Sequence, residues 1–197
     1  MLASARASGY SVAARKPAQS FDPASGPTDA EVLASATGED PGTVCASHRW
    51  YGVAYAPPMA ADSLGLAEIR LRDLIEEVAW PADRVDIGVV ETAGGVASPQ
   101  AHDGDALRLL TDLEPDWTVL VADAALGTVN STRLSLAALG GTDGGRVIVV
   151  VNRFDPHTDL HRRNLEWLER EGIDPVVGQQ GASAYCGGEL LRRMFRG

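Results

Sequence analysis

Short runs of mostly β-branched residues recur along this chain: Val85 to Val90, Thr118 to Ala122, Val147 to Val151, and the pair Val176 and Val177. Between them lie stretches with helical spacing, near Asp105 to Leu113, Ser131 to Leu139 and Leu160 to Glu171, with a last one near Glu189 to Phe195. A strand that reads as a continuous apolar run is buried on both faces, and parallel strands joined by crossover helices are the arrangement that buries it. The alternation therefore predicts an α/β fold, a parallel sheet with helices on both faces. In open sheets of this kind ligands collect beyond the carboxyl ends of the strands, so the residues just after each run carry the functional question.

Composition narrows the rest. The chain has 197 residues, 45% hydrophobic and 22% charged, enough apolar material for one core and an expectation of a single domain over residues 1–197. No apolar run approaches the roughly 20 residues that cross a bilayer, so no membrane partner is expected. Two cysteines, Cys45 and Cys186, make no disulfide scaffold, and a reducing, cytoplasmic compartment fits them. A net charge of -10 opposes long-range attraction to a phosphate backbone, which argues against nucleic acid. Of 17 basic residues a single one is lysine, Lys16. Where arginine has served for every other cation, the one ammonium is either a chance survivor or a group whose chemistry guanidinium cannot supply.

The first twenty residues hold Arg, Ser and Ala and no acid, which suits either a transit peptide or a helix from Leu2 to Ser8, stopped by Gly9 and followed by a strand Ser11 to Arg15. The folded reading is preferred because the strand leads into the loop that carries Lys16. Pro17 to Pro27 reads as loop, and Thr28-Asp29-Ala30-Glu31 as a capping box opening a helix to about Ala36. Gly38 to Gly65 shows no sustained period. Leu66, Ile69, Leu74, Ile75 and Val78 then form a helical stripe closed by Pro81.

At the strand ends stand Lys16, then Glu91-Thr92-Ala93-Gly94-Gly95, then Asp123 with the turn Gly127 to Asn130, then Asn152. Strands commonly end in polar residues at the water boundary, and most of these need no further reason. Glu91 and Asn152 sit at the lip of apolar runs, where a carboxylate is a good Mg²⁺ ligand beside phosphate and water, with Asp29 as a second. Gly94 and Gly95 suit either a tight turn or close approach of N–H groups to an anion. The amide of Asn152 suits either a solvated cap or the donor and acceptor edge of adenine. His48, His102, His157 and His161 lie mostly in loops; the last two are spaced i, i+4 with no third ligand.

Taken in order, these segments resemble the dethiobiotin synthetase family, ATP-dependent enzymes of biotin synthesis with a P-loop NTPase-like fold. Lys16-Pro17-Ala18-Gln19-Ser20, Thr28-Asp29-Ala30, Glu91-Thr92-Ala93-Gly94-Gly95, Leu126-Gly127-Thr128-Val129-Asn130 and Asn152-Arg153 match five family segments over most of the chain. The resemblance implies closure of 7,8-diaminopelargonate with CO₂ into a ureido ring at the expense of ATP. It implies Lys16 as the catalytic ammonium and Asp29 and Glu91 as Mg²⁺ ligands. Ser20, Thr92, Gly94, Gly95, Thr128, Val129 and Asn130 would bind substrate, and Asn152 and Arg153 the nucleotide. It also implies a homodimer, with the Thr128 to Asn130 turn meeting the substrate's carboxylate tail at its interface.

Three departures qualify the match. No GxxxxGK[ST] segment occurs, since Lys16 is followed by Pro17. The expectation is a chain lacking the family's first strand and P-loop, its Met1 falling within the next helix, with little activity of its own. Thr92 and Phe21 also replace glycines. The alternative is a non-catalytic binding relative. A glutamine-hydrolysing synthase of the same fold is disfavoured, because Cys186 has only eleven residues after it.

Overall fold

A computed structural model describes residues 1–140, 146–179 and 183–195. They form two compact units, Leu2–Glu114 and Pro115–Gly197, with Met1 grouped in the latter. Both are built on parallel strands, as the alternation predicts.

In the first unit α1 (Leu2–Ala7) ends at Gly9, whose φ of 89° terminates it, and β1 (Val12–Arg15) follows. β1 pairs in parallel with β4 (Ile87–Val90), Val12 opposite Ile87 and Arg15 opposite Val90. Between them run β2 (Gln19–Ser20), α2 (Asp29–Thr37), α3 (Pro41–Val44), β3 (Trp50–Tyr51), α4 (Pro57–Ser63) and α5 (Leu71–Glu77). A hairpin of β5 (Pro99–Ala101) and β6 (Gly104–Asp105) and then α6 (Ala106–Leu113) complete the unit. Ile69, Leu71 and Leu74 pack with Tyr51, Ala60, Ala101 and Leu109 in its largest cluster.

The helical stripe expected from Leu66 to Val78 is shorter than its spacing suggests, because α5 begins only at Leu71. Ile69, fully buried, is held extended instead: its N–H donates to His102 Nδ1 at 3.0 Å and its carbonyl accepts the His102 N–H at 3.0 Å. Backbone groups committed to a partner across the loop are not available to a helical turn.

The second unit is a three-stranded parallel sheet of β7 (Trp117–Asp123), β8 (Arg146–Phe154) and β9 (Val176–Gln179), in that order. Helices α7 (Thr128–Leu139), α8 (Asp159–Arg170) and α9 (Ser183–Phe195) alternate with the strands. Successive side chains of a strand face opposite ways, and β8 makes two clusters accordingly. Ile148 and Val150 pack with Leu190 and Met194 of α9, whereas Val151 packs with Leu165 and Leu168 of α8 and Val129 of α7. Both faces of β8 are covered, whereas on β7 Val121 is 59% exposed, so the expectation of burial on both faces does not hold for that strand. α7 starts at Thr128, three residues before the Ser131 expected, because Gly127 takes φ 95° and turns the chain directly into the helix.

One buried ion pair fixes the end of β1. Arg15, 4% exposed, donates from its guanidinium to Glu39 Oε1 at 2.7 Å and to the Ala79 carbonyl at 2.6 Å, and stacks 5.3 Å from the Trp80 ring centroid. Glu39 Oε2 accepts the Ala14 N–H at 2.9 Å. Burial acts to raise the Glu39 carboxyl, but hydrogen bonds from Arg15, Ala14 and Thr37 outweigh it and hold the group below its ordinary value of 4.5. A lowered acid contributes stability that is full above the ordinary value and lost as pH falls through the lower folded one. Glu39→Gln should therefore cost about 3 kcal/mol in denaturant melts at neutral pH, by stranding Arg15, and the deficit should shrink as the melts are repeated below pH 4.5.

Candidate active site

Lys16 is the residue immediately after β1, and its N–H donates to the Val44 carbonyl at 2.8 Å. Its side chain, 2% exposed, turns away from that of Arg15 and ends between two acids. Nζ lies 2.8 Å from Asp29 Oδ2, 2.8 Å from Glu91 Oε1 and 3.1 Å from the Thr92 carbonyl oxygen. An ammonium carries three donors, and these three oxygens match them in number. Burying such a charge is costly unless it is paired and hydrogen-bonded, and here it is both. Asp29 and Glu91, 57% and 45% exposed, keep access to solvent.

Each acid is placed by its own local device. Asp29 is the first residue of α2, where the helix dipole favours a carboxylate. The capping box is formed: Thr28 Oγ1 accepts from the Glu31 N–H, and the Thr28 N–H donates to Glu31 Oε2 at 2.7 Å. The fully buried Gln19 accepts the Ala30 N–H on Oε1 at 3.0 Å, tying this helix end to β2. Its Nε2 has no partner among the described residues. Glu91 follows β4, and its N–H donates to the Arg15 carbonyl at 2.9 Å, which continues the β1–β4 ladder by one step.

Beyond Glu91 the chain leaves the sheet. Gly94 takes φ 72°, and a Cβ there would lie 2.5 Å from Ser98 Oγ, so both conformation and space require glycine. The Gly95 N–H donates to Ser98 Oγ at 2.8 Å, which leaves Gly94 as the glycine whose N–H has no hydrogen bond among those described. Thr92 meets Lys16 through its carbonyl. Ser20 donates its hydroxyl to the Tyr55 carbonyl. Phe21 stacks edge-to-face on Trp50 at 6.2 Å.

The remaining expected residues belong to the second unit. Thr128, Val129 and Asn130 are the first turn of α7, with the Thr128 hydroxyl, like that of Thr132 one turn on, buried and without a partner among the described residues. Beside them a groove of about 630 Å³ is lined by Gly127, Asn130, Arg133, Leu134, Asn164 and Trp167, among others. Its rim is apolar and open, since Leu126 is 86% and Leu134 64% exposed. Asn152, in the exposed end of β8, accepts the Ala124 N–H on its carbonyl at 3.0 Å and faces the bare Cα side of Gly178. Arg153 has φ 56°, rare for a non-glycine residue, and pairs with Asp123.

Two residues that bind the site together were not singled out from sequence: Gln19 and Gln100. Both are glutamines within apolar surroundings, and no spacing rule distinguishes a buried amide from a surface one. Neither cysteine has an activated thiol. Burial pushes the Cys45 thiol up to about 12 and raises that of Cys186. His161 Nδ1 accepts the Asp155 N–H at 3.1 Å, and no group of three or more His, Cys, Asp or Glu residues suited to a metal occurs among the described residues.

Parallel strands joined by crossover helices, with charged groups at the strand ends, make an α/β ligand-binding framework, and residues 1–179 match the family model described as an AAA domain. The ATP-dependent dethiobiotin synthetase BioD of Haloferax mediterranei is 35% identical over 171 residues, 87% of this chain and 71% of the relative. The corresponding protein of Rhodococcus jostii is 34% identical over 186 residues, covering 93% and 79%, and that of Rhodococcus erythropolis 32% over 179 residues, covering 90% and 78%. The chain belongs to the dethiobiotin synthetase family.

Because Lys16 is the sole lysine, amine acylation read by mass spectrometry reports its surroundings without interference from other side chains. The buried, fully paired ammonium should react at least tenfold more slowly in the native chain than in urea-unfolded chain, and Glu91→Gln should recover part of that difference by removing one ion pair.

Proposed function

We propose that this chain carries out dethiobiotin synthesis: 7,8-diaminopelargonate and CO₂ form a carbamate, ATP phosphorylates it, and the second amine closes the ureido ring as phosphate leaves. The observation that carries the reading is the meeting of Lys16, Asp29 and Glu91 at one point. Negative charge grows on the carbamate oxygen and again on the transferring phosphoryl group, so a fixed cation beside a metal-binding pair of acids is the device such a reaction needs. Lys16 holds the carbamate oxygen, orienting it for attack. The Gly94 N–H, pointing from a loop with no room for a side chain, receives the substrate near its reacting end.

The donor set suits Mg²⁺: two hard carboxylates with solvent access, where that ion takes one or two protein oxygens and fills the rest with phosphate and water. Bound there, it would draw charge from the phosphate oxygens. Asn152, exposed beside side-chain-free Gly178, has the open amide that adenine recognition uses, with Arg153 next to it.

Taken within its own unit, the groove along α7 suits an aliphatic acid. An aliphatic chain suits Leu134 and Trp167, and its carboxylate suits Arg133 and the N-terminal turn Thr128 to Asn130. The exposed Leu126 and Leu134 support a homodimer in which a second copy covers this rim. A cytoplasmic site of action belongs to the same reading; among the described residues no helix is long and apolar enough to cross a membrane.

A non-catalytic binding role is the second reading, and it is favoured by one observation, the absence of GxxxxGK[ST] from these 197 residues. We infer on that ground that they turn over slowly by themselves. Titration calorimetry with 7,8-diaminopelargonate in bicarbonate, followed by ATP with Mg²⁺, tests both. The expected outcome is diamino acid binding that weakens at least tenfold in Lys16→Met, with dethiobiotin formed at a rate far below that of a relative carrying the P-loop. No binding of either compound would refute the enzyme reading. Leu134→Asp should shift the sedimentation of the chain from dimer to monomer.

A further inference from the structure

Gln100 lies on β5, 1% exposed, with its amide turned towards the loop that follows Glu91. Its Oε1 accepts the Ala93 N–H at 2.9 Å, and its Nε2 donates to the Ala93 carbonyl at 2.7 Å and to the Ser98 carbonyl at 3.1 Å. An N–H that needs an acceptor and a carbonyl that needs a donor fix which way round the amide sits. Ala93 has left the β1–β4 ladder, so without Gln100 both its backbone groups would go unpaired in a half-buried place.

The Ala93 N–H and the Thr92 carbonyl are the two ends of one peptide group. That group is planar and trans, so its N–H and C=O point in opposite directions and move as a rigid body. Gln100 grips one end, and the other end is the third oxygen on Lys16, at 3.1 Å. Polarisation of the shared amide by the Gln100 oxygen also makes the Thr92 carbonyl a stronger acceptor. A flip of this peptide would turn that carbonyl away and leave a buried ammonium one partner short.

We propose that Gln100 is a positioning residue for the reaction: through the Thr92–Ala93 peptide it sets where the Lys16 ammonium stands relative to Asp29 and Glu91. The proposal rests on the reading of Lys16 as the group that meets the carbamate. It also gives Thr92 a role that uses its backbone alone, so the identity of its side chain is secondary at this position.

The test uses the full chain and two variants. Gln100→Leu keeps the volume and removes all three hydrogen bonds; Gln100→Glu keeps the shape and an acceptor for the Ala93 N–H. Three quantities are read: amide exchange at Ala93 by NMR, the acylation rate of Lys16, and the Kd for 7,8-diaminopelargonate, each beside a thermal melt. In Gln100→Leu, Ala93 exchange should rise at least tenfold, Lys16 acylation at least threefold and Kd at least fivefold. Gln100→Glu should lie between that variant and the parent. A role in folding alone would move the melting temperature and leave Lys16 acylation of the folded protein unchanged, and that result in either folded variant overturns the proposal. Should Gln100→Leu fail to fold, the isosteric Gln100→Glu decides. If the parent chain binds no diamino acid, the proposed function fails, while Ala93 exchange and Lys16 acylation still judge the clamp.

Discussion

A buried ammonium with three oxygen partners organises the first unit. Lys16 could not sit at 3% exposure without them, because an unpaired charge in that place would either lose its proton or pull water in. The partners come from three separate parts of the chain: Asp29 from a helix start, Glu91 from a strand end, and the Thr92 carbonyl from a loop. Each of these parts is held by bonds of its own, so that the cation closes a set of arms already in place. The Arg15–Glu39 pair on the neighbouring residue does the same on the other side of the strand, which leaves the end of β1 flanked by two satisfied cations of different use. Arg15 is enclosed by Glu39, the Ala79 carbonyl and Trp80, whereas the acids on Lys16 remain half open to solvent. Only the second arrangement can exchange a partner for a ligand.

Much of this was legible in the amino-acid sequence, and for definite reasons. The β-branched runs mark β4, β7, β8 and β9 to within a few residues, because strands of a parallel sheet with crossover helices are rich in β-branched apolar residues, although β7 is less buried than its run suggests, with Val121 59% exposed. The capping box at Thr28 is readable because it is a local contract between two side chains three residues apart. Lys16, Asp29 and Glu91 stood out by position and by the rarity of lysine. What was not legible is everything that depends on partners distant in the chain. The extended segment around Ile69 looks helical until His102 is seen to hold it. The short strands β2, β3, β5 and β6 have two or three residues each and no period to detect.

The same distinction explains the two glutamines. A buried amide satisfies one donor and one acceptor at once without introducing charge, and it can copy the pairing of a β-ladder where the backbone has run out of neighbours. Gln100 does this on the Ala93 peptide, whereas Gln19 does half of it at the start of α2, its oxygen accepting while its Nε2 has no partner among the described residues. Neither choice leaves a mark on local propensity. Carbonyl and amide hydrogen bonds from a side chain are worth about 1 kcal/mol each net, yet leaving their backbone partners buried and unpaired costs more than making them gains. Such residues therefore matter both for how firmly the chain folds and for the conformation the loop holds.

The second effect bears on how the loop after β4 works. A glycine-rich segment is wanted where backbone must come close to a ligand, but the same freedom lets it collapse into other shapes, and a loose loop cannot stabilise charge as it develops. Here the freedom is confined. Glu91 continues the ladder through its own N–H, the Ala93 peptide is gripped by Gln100, and Gly95 is braced by Ser98, so Gly94, whose N–H has no hydrogen bond among those described, lies between fixed neighbours. The substitution of Thr92 for glycine is tolerable in this setting because the residue contributes its carbonyl, whose direction is imposed from the far side of the peptide. Preorganisation of a backbone dipole by a buried neutral side chain costs no charge burial, and it lets the loop meet Lys16 in one orientation before any substrate arrives.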